Sequence, residues 1–497
     1  MDIQRAKEEI KRSVQAYLAT DDIGRPLIPP IRQRPILLMG PPGVGKTQIM
    51  EQIAQECDIA LVAYTITHHT RQSAVGLPFI RERDFGGKTR SVTEYTMSEI
   101  IASVYAAMER TGKKNGILFI DEINCVSETL APTMLQFLQC KTFGCHQLPE
   151  GWIVVAAGNP PEYNRSVRDF DIVTLDRVRR MDLEADFSVW KEYAYSRQVH
   201  NAILTYLDLK KDHFYQIETT VDGKRFVTAR GWEDLSQFLQ VCETLDLPVD
   251  ESVIAQYLQH PAIAKDFTNY LYLYRKYQTD YDVPAILNGK YTPATVTKLR
   301  AAPFDERFSA VSLLLDGLFR SCGAANQEDA FVTELHQVLQ AMLPQMDRED
   351  MWALTKEVSR YGDLLRQLKE SGQPDKDKLR HTQRILTTLE GYQTQLTQEN
   401  LPAGSSVSDT LRSWFREAVK KRKTAIETAS AQLEHAFHFL EDVFGEGQEL
   451  VIFVTDLTMN PHASAFIRAN GCELYHHYNR LLLLDGRQQQ LLREIAQ

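Results

Sequence analysis

The sequence predicts an α/β core, a parallel sheet with helices on both faces, followed by a mostly helical region. Three observations carry this prediction. The first is the run Gly40-Pro41-Pro42-Gly43-Val44-Gly45-Lys46-Thr47, set between an apolar stretch at 35–39 and a helical pattern from Gln48. The second is the apolar stretch 116–120, which ends on Asp121-Glu122. The third is the stretch 152–157, which leads to Gly158-Asn159-Pro160. Short apolar runs that stop on polar or turn residues read as strands buried on both faces, and such strands belong to parallel sheets.

The glycine-rich run has the strand, loop and helix order of a P-loop. Its glycines let backbone N–H groups wrap around phosphate oxygens at a helix N-terminus. In that reading Lys46 reaches the β- and γ-phosphates of ATP, and the Thr47 hydroxyl ligates Mg²⁺. Asp121, at the C-terminal end of a parallel strand, stands where ligands of α/β sheets bind and holds the same ion. Glu122 orients and deprotonates the attacking water. An Asp-Glu pair after a strand is by itself more often a helix N-cap, but a complete P-loop upstream reverses that weighting. Asn159 is placed to touch the γ-phosphate or to position the water, the alternative being a turn-forming Asn before Pro.

Two further signals are weaker. Thr174-Leu175-Asp176-Arg177-Val178-Arg179-Arg180 offers a basic residue as an arginine finger toward a neighbouring subunit's ATP, or else a surface Arg paired with Asp176 or Asp182. Thr228-Ala229-Arg230-Gly231-Trp232 precedes a helical pattern, and Arg230 would reach the phosphates from a lid.

These five motifs, in this order, resemble the AAA+ ATPases, and within them the MoxR-like branch. Phe119-Ile120-Asp121-Glu122-Ile123-Asn124 matches the Asp-Glu-Ile-Asn that this branch favours, and residues 147–160 resemble its sensor-1 strand. Leu175-Asp176-Arg177 resembles its finger motif, with Val178 where Phe is usual. Arg179 and Arg180 lie close enough to compete for the role. Thr228-Ala229-Arg230 resembles its sensor 2, with Ala229 where Pro is usual. The resemblance covers about residues 25–245. It implies a ring, most often a hexamer, with ATP between subunits. It also implies a protein client, sometimes one carrying a von Willebrand factor A domain, that is remodelled or matured by a chaperone-like ATPase. In that branch an insertion that faces the ring's pore occupies the place of residues 68–96. Here the Gly86-Gly87 pair reads as a hairpin tip, and 140–150 as a second hairpin on the same face. His68-His69 lacks a second ligand pair at metal-site spacing.

Two other classes compete. A nucleic-acid motor or loader predicts a basic footprint, whereas the net charge is −10. The one basic run, Lys420-Lys421-Arg422-Lys423, reads as a solvated helix face. A nucleotide-switched scaffold would lack Glu122 or Arg177, and both are present. At 497 residues, 43% hydrophobic and 25% charged, the composition is that of a globular chain with room for two or three domains. Seven scattered cysteines with no Cys-x-x-Cys pair point to reduced, cytoplasmic thiols without zinc. No apolar run approaches a membrane span, and the charged N-terminus reads as an amphipathic helix rather than a signal peptide.

The pattern changes along the chain suggest a plan. Residues 1–24 form an N-terminal helix, 25–185 the nucleotide-binding core, and 186–245 a helical lid whose strand-like stretch at 226–228 is too short to matter. Residues 246–400 are helical, with a hairpin at 351–398 whose two apolar stripes meet in a coiled-coil-like seam or simply enter the core. Residues 401–408 form a linker. Residues 409–497 carry a long helix, starting near Ser408 and running to Phe444, and a small α/β tail. In the tail, 449–456 reads as a strand, Asn460-Pro461 starts a helix that ends at Asn470-Gly471, and 481–485 is a strand or buried turn.

Overall fold

The computed structural model describes residues 1–68, 76–143, 146–163, 167, 170–220, 223–342, 352–370, 376–398 and 407–482. Its contacts divide the chain into two compact units, one of residues 1–193 and 210–265, the other of 194–209 and 266–497.

The first unit is built on a five-stranded sheet in the order β2-β5-β8-β1-β9. The strands are β1 (Ile36–Met39), β2 (Ala60–Thr65), β5 (Gly116–Asp121), β8 (Trp152–Gly158) and β9 (Arg179–Asp182). All neighbours pair in parallel. The two-residue period of a strand sends alternate side chains to opposite faces. Leu37, Leu118, Ile120, Val154 and Ala156 pack on one face with Ile100, Val104 and Phe137. Ile36, Leu38, Ile117, Phe119, Ile153 and Val155 pack on the other with Ile49, Ile53 and, from the N-terminal helix Ile3–Leu18, Ala6, Ile10 and Val14. Both faces are therefore covered, which is why the central strands β5, β8 and β1 carry almost no polar residue, whereas the edge strand β9 keeps Arg179, Arg180 and Asp182. Arg179 ties the N-terminal helix to the sheet, with its guanidinium donating to Glu9 Oε2 at 2.5 Å and Ser13 Oγ at 2.6 Å.

Two hairpins stand off this core. β3 (Pro78–Asp84) pairs antiparallel with β4 (Thr89–Tyr95), closed by Phe85 N–H donating to Lys88 O, with Gly86-Gly87 at the tip. The short β6 (Thr142–Phe143) and β7 (His146–Gln147) form the second. A ring nitrogen of His146 lies 3.0 Å from the Tyr95 carbonyl oxygen, so the two hairpins sit side by side. His69 lies outside the described residues.

The segment expected to be a purely helical lid also contains a β-hairpin, β10 (Gln216–Thr220) with β11 (Gly223–Val227). The stretch judged too short is extended by its partner: Ile217 faces Phe226 across the ladder, and Phe226 N–H also donates to Gln259 O. The helix Ala229–Thr244 follows, with the Thr228 side chain accepting from Gly231 N–H as its cap.

The second unit is helical. Its longest helix, Phe304–Met342, has a window long and apolar enough by composition to cross a membrane, but 61% of that window is buried inside the protein. It packs against the helices Val407–Phe444, Gln448–Met459 and Pro461–Asn470. The helices Trp352–Glu370 and Lys376–Gln398 pack together, and their stripes, Leu354, Tyr361 and Leu365 with Leu386, Leu389 and Tyr392, enter one core with Leu335 and Leu339. The seam is thus core packing. Within the basic run, Arg422 pairs with Asp329 and Lys423 faces Glu427.

The tail corrects the expectation of an α/β unit. Residues 448–459 are a helix, not a strand. The run of Val, Ile, Phe and Thr signals a strand by propensity, yet Leu450, Phe453, Val454 and Leu457 are the apolar side chains that bury. That three-four spacing is a helical stripe, and packing overrides β propensity. Glu449 is buried with them and pairs with Arg307 at 2.9 Å. The next helix, Pro461–Asn470, begins and ends as expected, with Asn460 Oδ1 accepting from His462 and Ala463 N–H. Leu481 and Leu482 end a helix over 473–482 rather than start a strand, and 483–485 lie outside the described residues.

Candidate functional site

The C-terminal ends of β1, β5 and β8 converge, and each delivers a predicted site residue. Beyond Met39 the chain turns through Gly40-Pro41-Pro42-Gly43-Val44-Gly45 into the helix Lys46–Glu56. Gly43 and Gly45 adopt φ of +76° and +93°, a left-handed backbone that glycine takes without strain.

Lys46 is buried at 8% exposure, and its ammonium donates to three acceptors: Gly40 O at 2.8 Å, Pro41 O at 3.0 Å and Asn159 Oδ1 at 2.9 Å. Thus the Asn that follows β8 and the Lys that opens the helix after β1 meet directly. At the end of β5, Asp121 Oδ1 accepts from Glu122 N–H at 2.9 Å, while Oδ2 accepts from Thr47 Oγ1 at 3.4 Å. A hydroxyl and a carboxylate facing each other are the donor set of a hard divalent cation, so Thr47 and Asp121 fit Mg²⁺. Glu122 itself sits at φ +57°, where a non-glycine residue is strained, and such strain concentrates at functional sites.

Arg230 joins from the lid. A Cβ on Gly43 would lie 3.5 Å from Arg230 Cβ and 3.2 Å from Thr228 Oγ1, so the lid cap rests against the P-loop. Tyr215 makes a contact not apparent in the sequence: its hydroxyl donates to Pro42 O at 2.8 Å. No local motif marks that tyrosine, because it meets the P-loop only when the lid folds back. Asn124 is a second such residue. It is buried, and its Nδ2 donates to the Asn159 carbonyl at 2.8 Å.

Arg177 is not brought to this constellation. It precedes β9, whose Arg179 is in register with Ile36 at the start of β1, whereas the P-loop leaves the opposite end. Arg177 is exposed at the sheet's N-terminal edge. Of its two competitors, Arg179 is committed to Glu9 and Ser13, and Arg180 to Asp182 at 2.8 Å.

Burial lowers the Lys46 pKa to about 8, with the Arg230 charge adding to the effect and Asp121 and Glu122 opposing it. The ammonium therefore loses its proton as pH rises through about 8, well below its unfolded value. A triphosphate needs that charge. We expect ATP affinity to fall as pH rises from about 7.5 to 9, measured by titrating a fluorescent ATP analogue. Lys46→Gln should bind weakly at every pH and show no such step; a flat wild-type profile would refute the lowered pKa, and a Lys46→Gln variant that binds like wild type would refute the assignment of Lys46 as the phosphate ligand.

Residues 36–171 match the family model described as ATPase family associated with various cellular activities (AAA). The matched span includes the P-loop, Asp121-Glu122 and Asn159, and stops before Arg177 and Arg230. No curated protein matches the chain. Over residues 36–171 the chain is thus similar to AAA-type ATPase domains, a class that binds nucleotide and commonly assembles into rings.

Proposed function

We propose, from an AAA-type domain at residues 36–171, that this protein is a Mg²⁺- and ATP-dependent ring ATPase that remodels or matures a partner protein or complex, in the manner of the MoxR-like branch. The observation that carries the reading is the convergence of three strand ends in two hydrogen-bonded pairs, Lys46 with Asn159 and Thr47 with Asp121.

In this reading the three acceptors on Lys46 give way to phosphate oxygens, which need the same ammonium. Thr47 and Asp121 hold Mg²⁺, which when bound offsets the phosphate charge. Glu122 orients a water and takes its proton. Asn159 holds that water or the γ-phosphate, and Arg230 closes over the phosphates. Arg177 serves the site of a neighbouring copy. Its place at the far edge of the sheet, and the strongly exposed Ile172 and Val173 beside it, at 85% and 56%, support a neighbour there. Lid rotation after hydrolysis would move the two hairpins against a client. The acidic charge favours a protein client, with a von Willebrand factor A domain as the partner to test first, in the cytoplasm.

The test is mass photometry with and without Mg·ATP, with phosphate release on the same samples. ATP-dependent rings whose turnover rises with a protein partner and not with DNA or RNA are expected. A monomer stimulated by nucleic acid would overturn the reading.

A further inference from the structure

Asn124 lies in the turn Ile123–Cys125 directly after Glu122, and is 3% exposed. The ladder between β5 and β8 has its last paired residues at Ile120↔Ala156. Beyond that pair the strands part, one toward Glu122 and the other toward Asn159. The 2.8 Å bond from Asn124 Nδ2 to the Asn159 carbonyl ties them again where the ladder has stopped. Room for the amide comes from Gly158: a Cβ there would sit 2.6 Å from Asn124 Oδ1 and 2.9 Å from Asn124 Cγ. Asn124 thus occupies the space that any side chain at 158 would need.

Two features separate this amide from a packing element. Its Oδ1 is buried with no hydrogen-bond partner, and buried polar atoms are rarely left so without a reason. Its partner is the backbone of the residue whose side chain holds Lys46. The Asn159 side chain meets Lys46 through Oδ1, an acceptor. To meet a phosphate oxygen it must present Nδ2, the donor. That exchange requires the side chain to rotate while its backbone stays in place.

We propose that Asn124 is a positioning residue: it anchors the Asn159 backbone to the Glu122 turn, so that the Asn159 amide turns from Lys46 to the reacting phosphate without displacing the strand end. The proposal rests on the ATPase reading of this site. It gives a further role to the pair of strand ends: the residue that activates water and the residue that senses phosphate are held at one distance by one hydrogen bond.

The experiment measures phosphate release at saturating Mg·ATP, and affinity for a fluorescent ATP analogue, on wild type, Glu122→Gln, Asn124→Ala, Asn124→Ser, Asn159→Ala and the double variant Asn124→Ala/Asn159→Ala. Thermal unfolding reports folding, and the serine variant serves if the alanine variant fails to fold. Folded Asn124 variants should bind nucleotide within a few-fold of wild type and lose turnover on the order of 100-fold, the effect of a small misplacement at a reacting centre. The double variant should be no slower than Asn159→Ala, because both residues act through one side chain. Wild-type turnover in the folded Asn124 variants, or a double variant slowed by both factors multiplied, overturns the assignment. An inactive wild type, or an active Glu122→Gln, overturns the ATPase reading itself. Active wild type with inactive Glu122→Gln and unaffected Asn124 variants overturns only the role of Asn124.

Discussion

Glu122→Gln is expected to bind Mg·ATP as wild type does and to reduce turnover to background. The substitution keeps the size of the side chain and its capacity to orient a water, but an amide does not accept the proton that the water must lose. General bases typically contribute 10²–10⁴-fold. The binding residues are untouched: Lys46 meets Asn159, and Thr47 meets Asp121, without using the Glu122 side chain. A single-turnover assay beside an equilibrium titration separates the two effects. A fall in kcat with affinity retained means that Glu122 acts in the transition state. Retained turnover would remove Glu122 from the mechanism and leave its strained backbone at φ +57° without a catalytic explanation.

Arg177→Ala is expected to assemble with ATP yet lose about 10³-fold or more in turnover, the scale of a finger supplied in trans. The register places Arg177 away from its own P-loop. Arg177 lies before Arg179, which pairs in register with Ile36, and the P-loop begins after Met39. With about 3.3 Å per residue along a strand, the length of β1 separates the arginine from its own Lys46. A mixing experiment tests this directly. If the finger acts in trans, copies carrying Arg177→Ala should be inactive on their own, as should copies carrying Lys46→Ala. Mixed together, some interfaces combine an intact Lys46 with an intact Arg177 from the neighbour, and activity returns. Arg177→Ala copies that alone remain as active as wild type would exclude the finger, and a mixture of the two inactive variants that stays inert would exclude its action in trans.

Much of the site was legible in the sequence because each of its parts is local. A P-loop is eight consecutive residues whose glycines, lysine and threonine act within one turn. Asp121-Glu122 and Asn159 end apolar runs whose burial on both faces makes them conspicuous. Competition among Arg177, Arg179 and Arg180 was not settled by spacing, since adjacent residues on a short strand differ by which neighbour they meet. Arg179 meets Glu9 and Ser13, more than 160 positions away. Asn124 was visible as part of a motif, but its role depends on Gly158 making room for it. Tyr215 carried no signal at all.

In the C-terminal half the balance shifts. The capped helix at Pro461–Asn470 follows from Asn460 and Pro461 alone, because capping is satisfied within four residues. The segment 448–459 does not. Its composition favours a strand, and it becomes a helix because Leu450, Phe453, Val454 and Leu457 have a core to enter. What the sequence determined by itself is therefore the nucleotide-binding chemistry and the strand-loop-helix units that present it, since short-range sterics and backbone hydrogen bonding suffice for both. What only the tertiary structure decided is which distant groups share a buried space. That covers the tail's helix, the lid tyrosine on the P-loop, the commitment of Arg179 and the bond between Asn124 and Asn159. Each depends on desolvation and packing against residues far away in the chain, and no local pattern encodes which ones those will be.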